Sequence, residues 1–447
     1  MKKLIIKNAT LVNEGKSFSS DILIENERIE KIAPSISVKG YADEIDATNL
    51  HLLPGVIDDQ VHFREPGLTH KANIASESKA AIAGGTTTFM EMPNVNPPTL
   101  NLELLEEKYA IAKNSSYANY SFFMGVSNDN YEDAIKANKF KNDICGFKIF
   151  MGSSTGNMLV DNIVTLENIF SNAEMLIATH CEREQTIADN KLKIENEFPN
   201  YDVSFHPIIR NEEACYESSL AAIQLAKKND TRLHILHIST EEEIQLFTNL
   251  FPLEQKRITA EVCVHHLTFT ADDYKKLGTQ IQCNPAIKNA RHQPALWQAL
   301  LDNKFDIVAT DHAPHSWDEK QQPYPKSPSG LPLVQHSLLQ MLEHSKNGKI
   351  SLERMVEKMC HAPAQCFQIS ERGFLREGYF ADMVLVDLKK NYTVTKENIL
   401  YKCGWSPFEN TTFSSSIKKT IVNGNIAFEN GTVNENRNVQ RVKFVRG

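Results

Sequence analysis

The first fifty residues carry short apolar runs, Leu4-Ile5-Ile6, Ile22-Leu23-Ile24 and Ile29-Glu30-Lys31-Ile32, separated by polar and turn-forming residues. Runs this short predict half-buried strands joined as hairpins. The last seventy residues have the same texture, in Met383-Val384-Leu385-Val386, Lys419-Thr420-Ile421-Val422 and Ile426-Ala427-Phe428. Asn423-Gly424 joins the last two, a pair that tolerates the positive φ angles of a tight hairpin. Both ends therefore read as one small β domain, residues 1–52 with 366–447, formed where the chain leaves and rejoins a larger body.

Across residues 53–365 short apolar runs alternate with helix-like segments, which predicts repeated βα units. Such runs are Thr86-Thr87-Thr88-Phe89-Met90-Glu91-Met92, Gly146-Phe147-Lys148-Ile149-Phe150-Met151, Met175-Leu176-Ile177-Ala178-Thr179-His180, Leu233-His234-Ile235-Leu236-His237 and Phe305-Asp306-Ile307-Val308-Ala309-Thr310-Asp311. Most have a polar or ionisable residue at or near the C-terminal end, which is where a (β/α)8 barrel keeps its active site. The Pro-rich stretch 316–329 reads as a surface or lid loop, and Gly152-Ser153-Ser154-Thr155-Gly156 as a hinge or a tight turn.

A chain of 447 residues is longer than most single cores, which suits one large domain with a smaller companion. The formal charge of -8 comes from acidic residues spread along the chain, without the clustered Lys and Arg that a nucleic-acid partner requires. No apolar run approaches the roughly 18 residues that span a bilayer, and the apolar stretch after Met1 is too short for a signal peptide, so a cytoplasmic protein is expected. The eight Cys are scattered without a Cys-x-x-Cys pair and read as reduced core residues.

His62, Lys148, His180, His237 and Asp311 each lie on or end a different predicted strand, so a barrel would gather them. A single His after an apolar run is ordinarily a satisfied core residue. Five such positions together point to a hydrolytic metal site, in which His and carboxylate ligands leave a coordination position open.

The segment Pro54-Gly55-Val56-Ile57-Asp58-Asp59-Gln60-Val61-His62-Phe63-Arg64-Glu65-Pro66-Gly67 resembles the cyclic amidohydrolases, and within them the dihydroorotases, whose first barrel strand ends in His-x-His-x-Arg-x-Pro-Gly. Thr179-His180-Cys181-Glu182, Leu236-His237-Ile238-Ser239-Thr240, Ala309-Thr310-Asp311-His312-Ala313-Pro314-His315 and Gly378-Tyr379-Phe380-Ala381-Asp382-Met383-Val384 extend the resemblance over essentially the whole chain. It implies that Zn, one or two ions, is held by His62, His180, His237, Asp311 and a carbamylated Lys148. It further implies that Asp311 shuttles the proton, that Arg64, Asn94 and His315 hold a substrate carboxylate, and that Asn284 contacts a pyrimidine ring. Glu261, His265 and His266 take a supporting place, and His234 is structural.

Two positions depart from the family pattern. Gln60 stands where the first His is expected, which weakens the first-strand metal site, since a carboxamide is a poorer Zn ligand than imidazole. Leu333 and Gln335 stand where relatives usually carry Gly and Glu. The resulting expectation is a (β/α)8 metal-dependent hydrolase barrel with a small β-sandwich domain, acting as a homo-oligomeric dihydroorotase. It would interconvert N-carbamoyl-L-aspartate and L-dihydroorotate in pyrimidine biosynthesis. The alternatives are another cyclic amidohydrolase, such as an allantoinase or hydantoinase, and a non-catalytic relative that stabilises another enzyme of the pathway.

Overall fold

The computed structural model describes residues 2–152 and 158–446. Residues 153–156 of the small-residue run therefore lie outside the described residues.

The chain opens with β1 (Lys3–Asn13), β2 (Lys16–Glu25), β3 (Arg28–Ala33), β4 (Asp43–Asp46) and β5 (His51–Pro54). The barrel strands follow as β6 (Val56–Val61), β7 (Thr86–Glu91), β8 (Asn119–Gly125), β9 (Gly146–Phe150), β10 (Ile177–His180), β11 (Leu233–Ile235), β12 (Ile258–Cys263) and β13 (Ile307–Ala309). After the last barrel helices come β14 (Met383–Asp387), the small pair β15 (Tyr392–Thr393) and β16 (Thr412–Phe413), then β17 (Ser416–Val422), β18 (Asn425–Glu429) and β19 (Thr432–Val433).

Strands β6 to β13 form one parallel sheet in sequential order. The sheet nearly closes, because Val61 bridges His312 in parallel and the His62 N–H donates to the His312 carbonyl at 2.7 Å. Every residue of β6, β7, β8 and β9 is buried, the signature of strands covered on both faces. Four of the outer helices start at an Asn whose side chain accepts a backbone N–H of the first turn: Asn73, Asn101, Asn162 and Asn211. These caps satisfy donors that the helix itself cannot.

The two chain ends meet in a second, mostly antiparallel sheet, ordered β19-β18-β17-β14-β5-β1-β2-β3, with β4 on β1. The predicted hairpin at Asn423-Gly424 joins β17 to β18, with φ of 46° and 72°. A side chain at Gly424 would also strike the Asn26 carbonyl, so the turn and its contact with the β2–β3 connection both require glycine. All eight Cys are free, and seven are buried. No described helix is long and apolar enough to cross a membrane.

Candidate active site

The ends of five barrel strands converge on one pocket lined by Gln60, His62, Arg64, Lys148, Phe150, His180, His237, Asn284, Asp311, Ala313, Ser329 and Gly330. Thus six of the residues expected from the sequence to bind metal or substrate, His62, Arg64, Lys148, His180, His237 and Asp311, face the same space, and Asn284 joins them from the segment after β12. Three of them, Arg64, His237 and Asp311, have positive φ angles of 70°, 40° and 48°. Such conformations cost about 1–3 kcal/mol each and persist only where the surroundings hold them. For His237 the Glu261 carboxylate does so, accepting the His237 backbone N–H at 3.2 Å.

On the β6 side, Asp311 Oδ1 accepts from Gln60 Nε2 at 3.2 Å and lies 3.1 Å from His62 Nε2. The other face of the Gln60 carboxamide meets the Cys263 thiol, with Sγ 3.7 Å from Oε1. His62 Nδ1 is 2.8 Å from the Asn94 carboxamide. Asp58 holds the strand end opposite, accepting the Thr310 hydroxyl at 2.6 Å, and burial pushes its pKa up to about 7.

On the β9–β11 side, His180 Nδ1 and His237 Nε2 point at each other across 3.0 Å. Burial keeps both rings neutral, lowering the two pKa values. Lys148 is fully buried with its ammonium over the Phe150 ring, and burial brings its pKa down to about 7 against the pull of Asp311. Arg64 is 2% exposed, and its guanidinium donates to the Pro314 carbonyl at 3.1 Å and lies 3.1 Å from His315 Nε2. Burial lowers the Arg64 pKa to about 10. Among the described residues no carboxylate lies within ion-pair distance of it.

Residues 51–427 match the profile described as the amidohydrolase family. The chain belongs to the amidohydrolase family. Among relatives, it is 30% identical over 445 residues to the dihydroorotase of Methanosphaera stadtmanae, covering 97% of this chain and 98% of that one. It is 33% identical over 423 residues to the dihydroorotase of Methanosarcina acetivorans, covering 92% and 88%. Among solved structures, the L-hydantoinase (dihydropyrimidinase) of Arthrobacter aurescens superposes with a TM-score of 0.91 at 26% identity, over 99% of this chain and all of that one.

Amidohydrolases are in general metal-dependent, and the donor set permits a test of fit. Two neutral imidazole nitrogens facing each other beside a Lys with a depressed pKa suit a divalent metal. The Gln60, His62 and Asp311 group fits less well, because the carboxamide presents an N–H to the very oxygen that would ligate. A third group, Asp59, His234 and Glu261, is wholly buried behind the pocket. There His234 Nε2 sits 3.1 Å from Glu261 and 3.4 Å from Asp59.

Asn94 and His315 stand one layer behind the pocket of this amidohydrolase, touching His62 and Arg64. His266 Nε2 lies 3.1 Å from the Pro285 carbonyl, beside Asn284. Sequence reasoning missed Glu182 and Arg210. Glu182 Oε2 lies 3.1 Å from His180 Nε2 and 2.8 Å from Arg210 Nη2. Although burial raises the Glu182 pKa, Arg210 and His180 bring it to about 2, so a fixed anion orients the His180 ring. The His-x-Glu spacing of His180 and Glu182 was a visible signal, but nothing in the sequence marks Arg210.

Trp405, from the segment between β15 and β16, donates its indole N–H to the His315 carbonyl at 2.8 Å. Gln335 donates to the Asn398 carbonyl at 2.7 Å and accepts from the Leu400 N–H at 2.8 Å. Leu333 is buried and its N–H donates to His312 Nδ1 at 3.0 Å. Gln335 thus lies in packing between the barrel and the chain that follows it.

Proposed function

We propose that this amidohydrolase is a dihydroorotase, closing N-carbamoyl-L-aspartate to L-dihydroorotate and reopening it in pyrimidine synthesis. The observation that supports the reading is Arg64, a buried cation that has no carboxylate partner among the described residues and opens onto the same pocket as Lys148, His180 and His237. A desolvated guanidinium is costly to keep and suits a carboxylate, to which it can donate two parallel hydrogen bonds. The full-length identity to two dihydroorotases supports the same reading. The fold shared with an L-hydantoinase favours a second one, a neutral cyclic ureide as substrate, but that reading leaves Arg64 without a role.

Zn bound by His180, His237, Lys148 as its carbamate, His62 and Asp311 would supply Lewis acidity at the scissile carbonyl. The chain's own residues do the rest. Arg64, with Asn94 and His315 behind it, fixes the substrate by its carboxylate, and Asn284 faces the ring. Asp311 takes a proton from attacking water and returns it to the ring nitrogen, and the reverse sequence closes the ring. Gln60, in the place of the family's first His, weakens the site beside His62. The substrate is a small molecule, the enzyme a cytoplasmic homo-oligomer, and the two units of the chain divide near residues 53 and 366.

Dihydroorotate hydrolysis and metal content, measured on one preparation of wild type and Gln60→His, test the proposal. Wild type is expected to turn over dihydroorotate with metal bound, and Gln60→His to bind more metal. Turnover of hydantoin with none of dihydroorotate would favour the ureide reading. A metal-free, inactive wild type, with both properties gained in Gln60→His, would favour a non-catalytic relative.

Lys148 brings a pH dependence. Its pKa is lowered to about 7, so the amine is mostly neutral above that pH and mostly protonated below it. Only the neutral amine combines with carbon dioxide. The initial rate at which metal-stripped enzyme regains activity with Zn and bicarbonate should therefore be about tenfold higher at pH 8 than at pH 6, at equal dissolved carbon dioxide.

A further inference from the structure

Asn284 lines the pocket from the segment after β12, and its carboxamide oxygen lies 3.1 Å from His206 Nε2. Among the described residues that carboxamide makes no other hydrogen bond, so its nitrogen is an unspent donor. His206 opens the short helix His206–Ile209 and is 4% exposed. Its Nε2 also lies 2.9 Å from the Cys283 carbonyl, and its Nδ1 lies 3.2 Å from the Tyr324 hydroxyl. Tyr324 belongs to the Pro-rich stretch 316–329, which is bonded to the segment that carries Asn284. Gln282 Nε2 donates to the Ser327 carbonyl at 2.9 Å, and the Gly330 N–H donates to the Gln282 carbonyl at 2.8 Å.

These contacts fix the proton of the ring and, through it, the sense of the amide. Burial, and Arg210 after it, lowers the His206 pKa to about 4, so the imidazole is neutral with a single N–H. A backbone carbonyl can only accept, so the proton sits on Nε2 opposite Cys283, and Nδ1 accepts from the Tyr324 hydroxyl. The opposite tautomer would set a lone pair against the Cys283 carbonyl. The Nε2–H is shared between that carbonyl and the Asn284 oxygen as a three-centre bond. Sharing weakens the hold on the amide but not its sense, since a flipped Asn284 would bring N–H against N–H. The Asn284 nitrogen is therefore the end left for the pocket, where a carbonyl of a bound ring can accept from it.

We infer that His206 is a positioning residue that holds the Asn284 carboxamide with its nitrogen toward the substrate, so that the pocket selects a ring with a carbonyl at that point. The inference rests on the proposed function for the identity of that ring. Without the His206 N–H, the amide is free to turn and to offer its oxygen, which a ring carbonyl repels. His206 itself does not line the pocket, so its loss acts on binding through Asn284 and not on the chemical step.

The test is a double-mutant cycle on His206→Phe and Asn284→Ala, with His206→Gln beside it, read by steady-state kinetics on dihydroorotate and by calorimetric binding of orotate, a planar pyrimidine carboxylate. His206→Phe keeps a ring without a donor and is expected to raise KM and the orotate dissociation constant about tenfold, with kcat within about twofold of wild type. His206→Gln, whose amide N–H can stand where Nε2–H stood, should recover most of that loss. In the Asn284→Ala background, His206→Phe should cost no more than about twofold further, because the amide through which it acts is already gone. Should His206→Phe fold poorly, His206→Asn, too short to reach Asn284, takes its place in the same cycle. Losses that multiply in the double variant would overturn the inference, as would unchanged KM and orotate affinity in the His206 variant, or kcat falling in step with a rise in KM. A His206→Gln variant as impaired as His206→Phe would also overturn it, because it would mark a packing role. If wild type fails to turn over dihydroorotate yet binds orotate with this coupling between His206 and Asn284, the proposed function falls and the inference stands. If wild type binds no orotate, both fall.

Discussion

Replacing Asp311 by Asn is expected to lower kcat on dihydroorotate by about a thousandfold while leaving the fold and most of the bound metal in place. The substitution is nearly isosteric, and an amide oxygen can still accept from Gln60 Nε2, now 3.2 Å from Asp311 Oδ1, and sit beside His62 Nε2, now 3.1 Å away. What it loses is basicity. A carboxamide cannot take a proton from water and hand it to a leaving nitrogen. Elemental analysis beside the kinetics separates the two consequences, since metal retained with kcat lost assigns Asp311 to proton transfer. A kcat within tenfold of wild type would remove Asp311 from that role.

Arg64→Met should act on recognition instead, reducing kcat/KM for dihydroorotate by about a hundredfold or more, because two charge-assisted hydrogen bonds of about 1.5–3 kcal/mol each are lost. The variant keeps an unbranched apolar stem, shorter than that of Arg, and removes a buried cation beside which no carboxylate of the described residues lies. Its thermal midpoint is therefore expected to equal or exceed that of wild type, the usual mark of a group held for function at the expense of stability. The loss should be specific to acidic substrates. If any turnover of a neutral ring such as hydantoin or dihydrouracil is measurable in wild type, Arg64→Met should preserve it. Equal losses on both kinds of substrate would show that Arg64 supports the pocket rather than reading a carboxylate.

The barrel was legible because parallel strands buried on both faces leave continuous apolar runs, and because the chemistry sits at one end of each run. His62, Lys148, His180, His237 and Asp311 could be collected from those ends without knowing any distance. The terminal sheet was legible from its turns, Asn423-Gly424 above all, whose positive φ angles few other pairs accept. The second layer of the site could not be read in this way. Arg210 reaches Glu182 across 28 residues, and Cys263 reaches Gln60 across 203, so no local period or spacing reports either contact. Lys71 is equally silent, since a Lys in a polar loop carries no hint that an imidazole 244 residues later faces it. Gln335 is silent in the same way, since nothing near it in the sequence reports that its carboxamide is spent on the backbone of residues 398 and 400.

The indole of Trp405 holding the His315 carbonyl has a consequence for how such a protein can evolve. A gene fusion that transplanted only the eight-stranded portion would leave behind a side chain that braces the His315 segment behind the pocket. The barrel and the chain after it are therefore heritable as one piece. Substitutions around Trp405 should drift together with those around His315, although 90 residues separate them in the sequence.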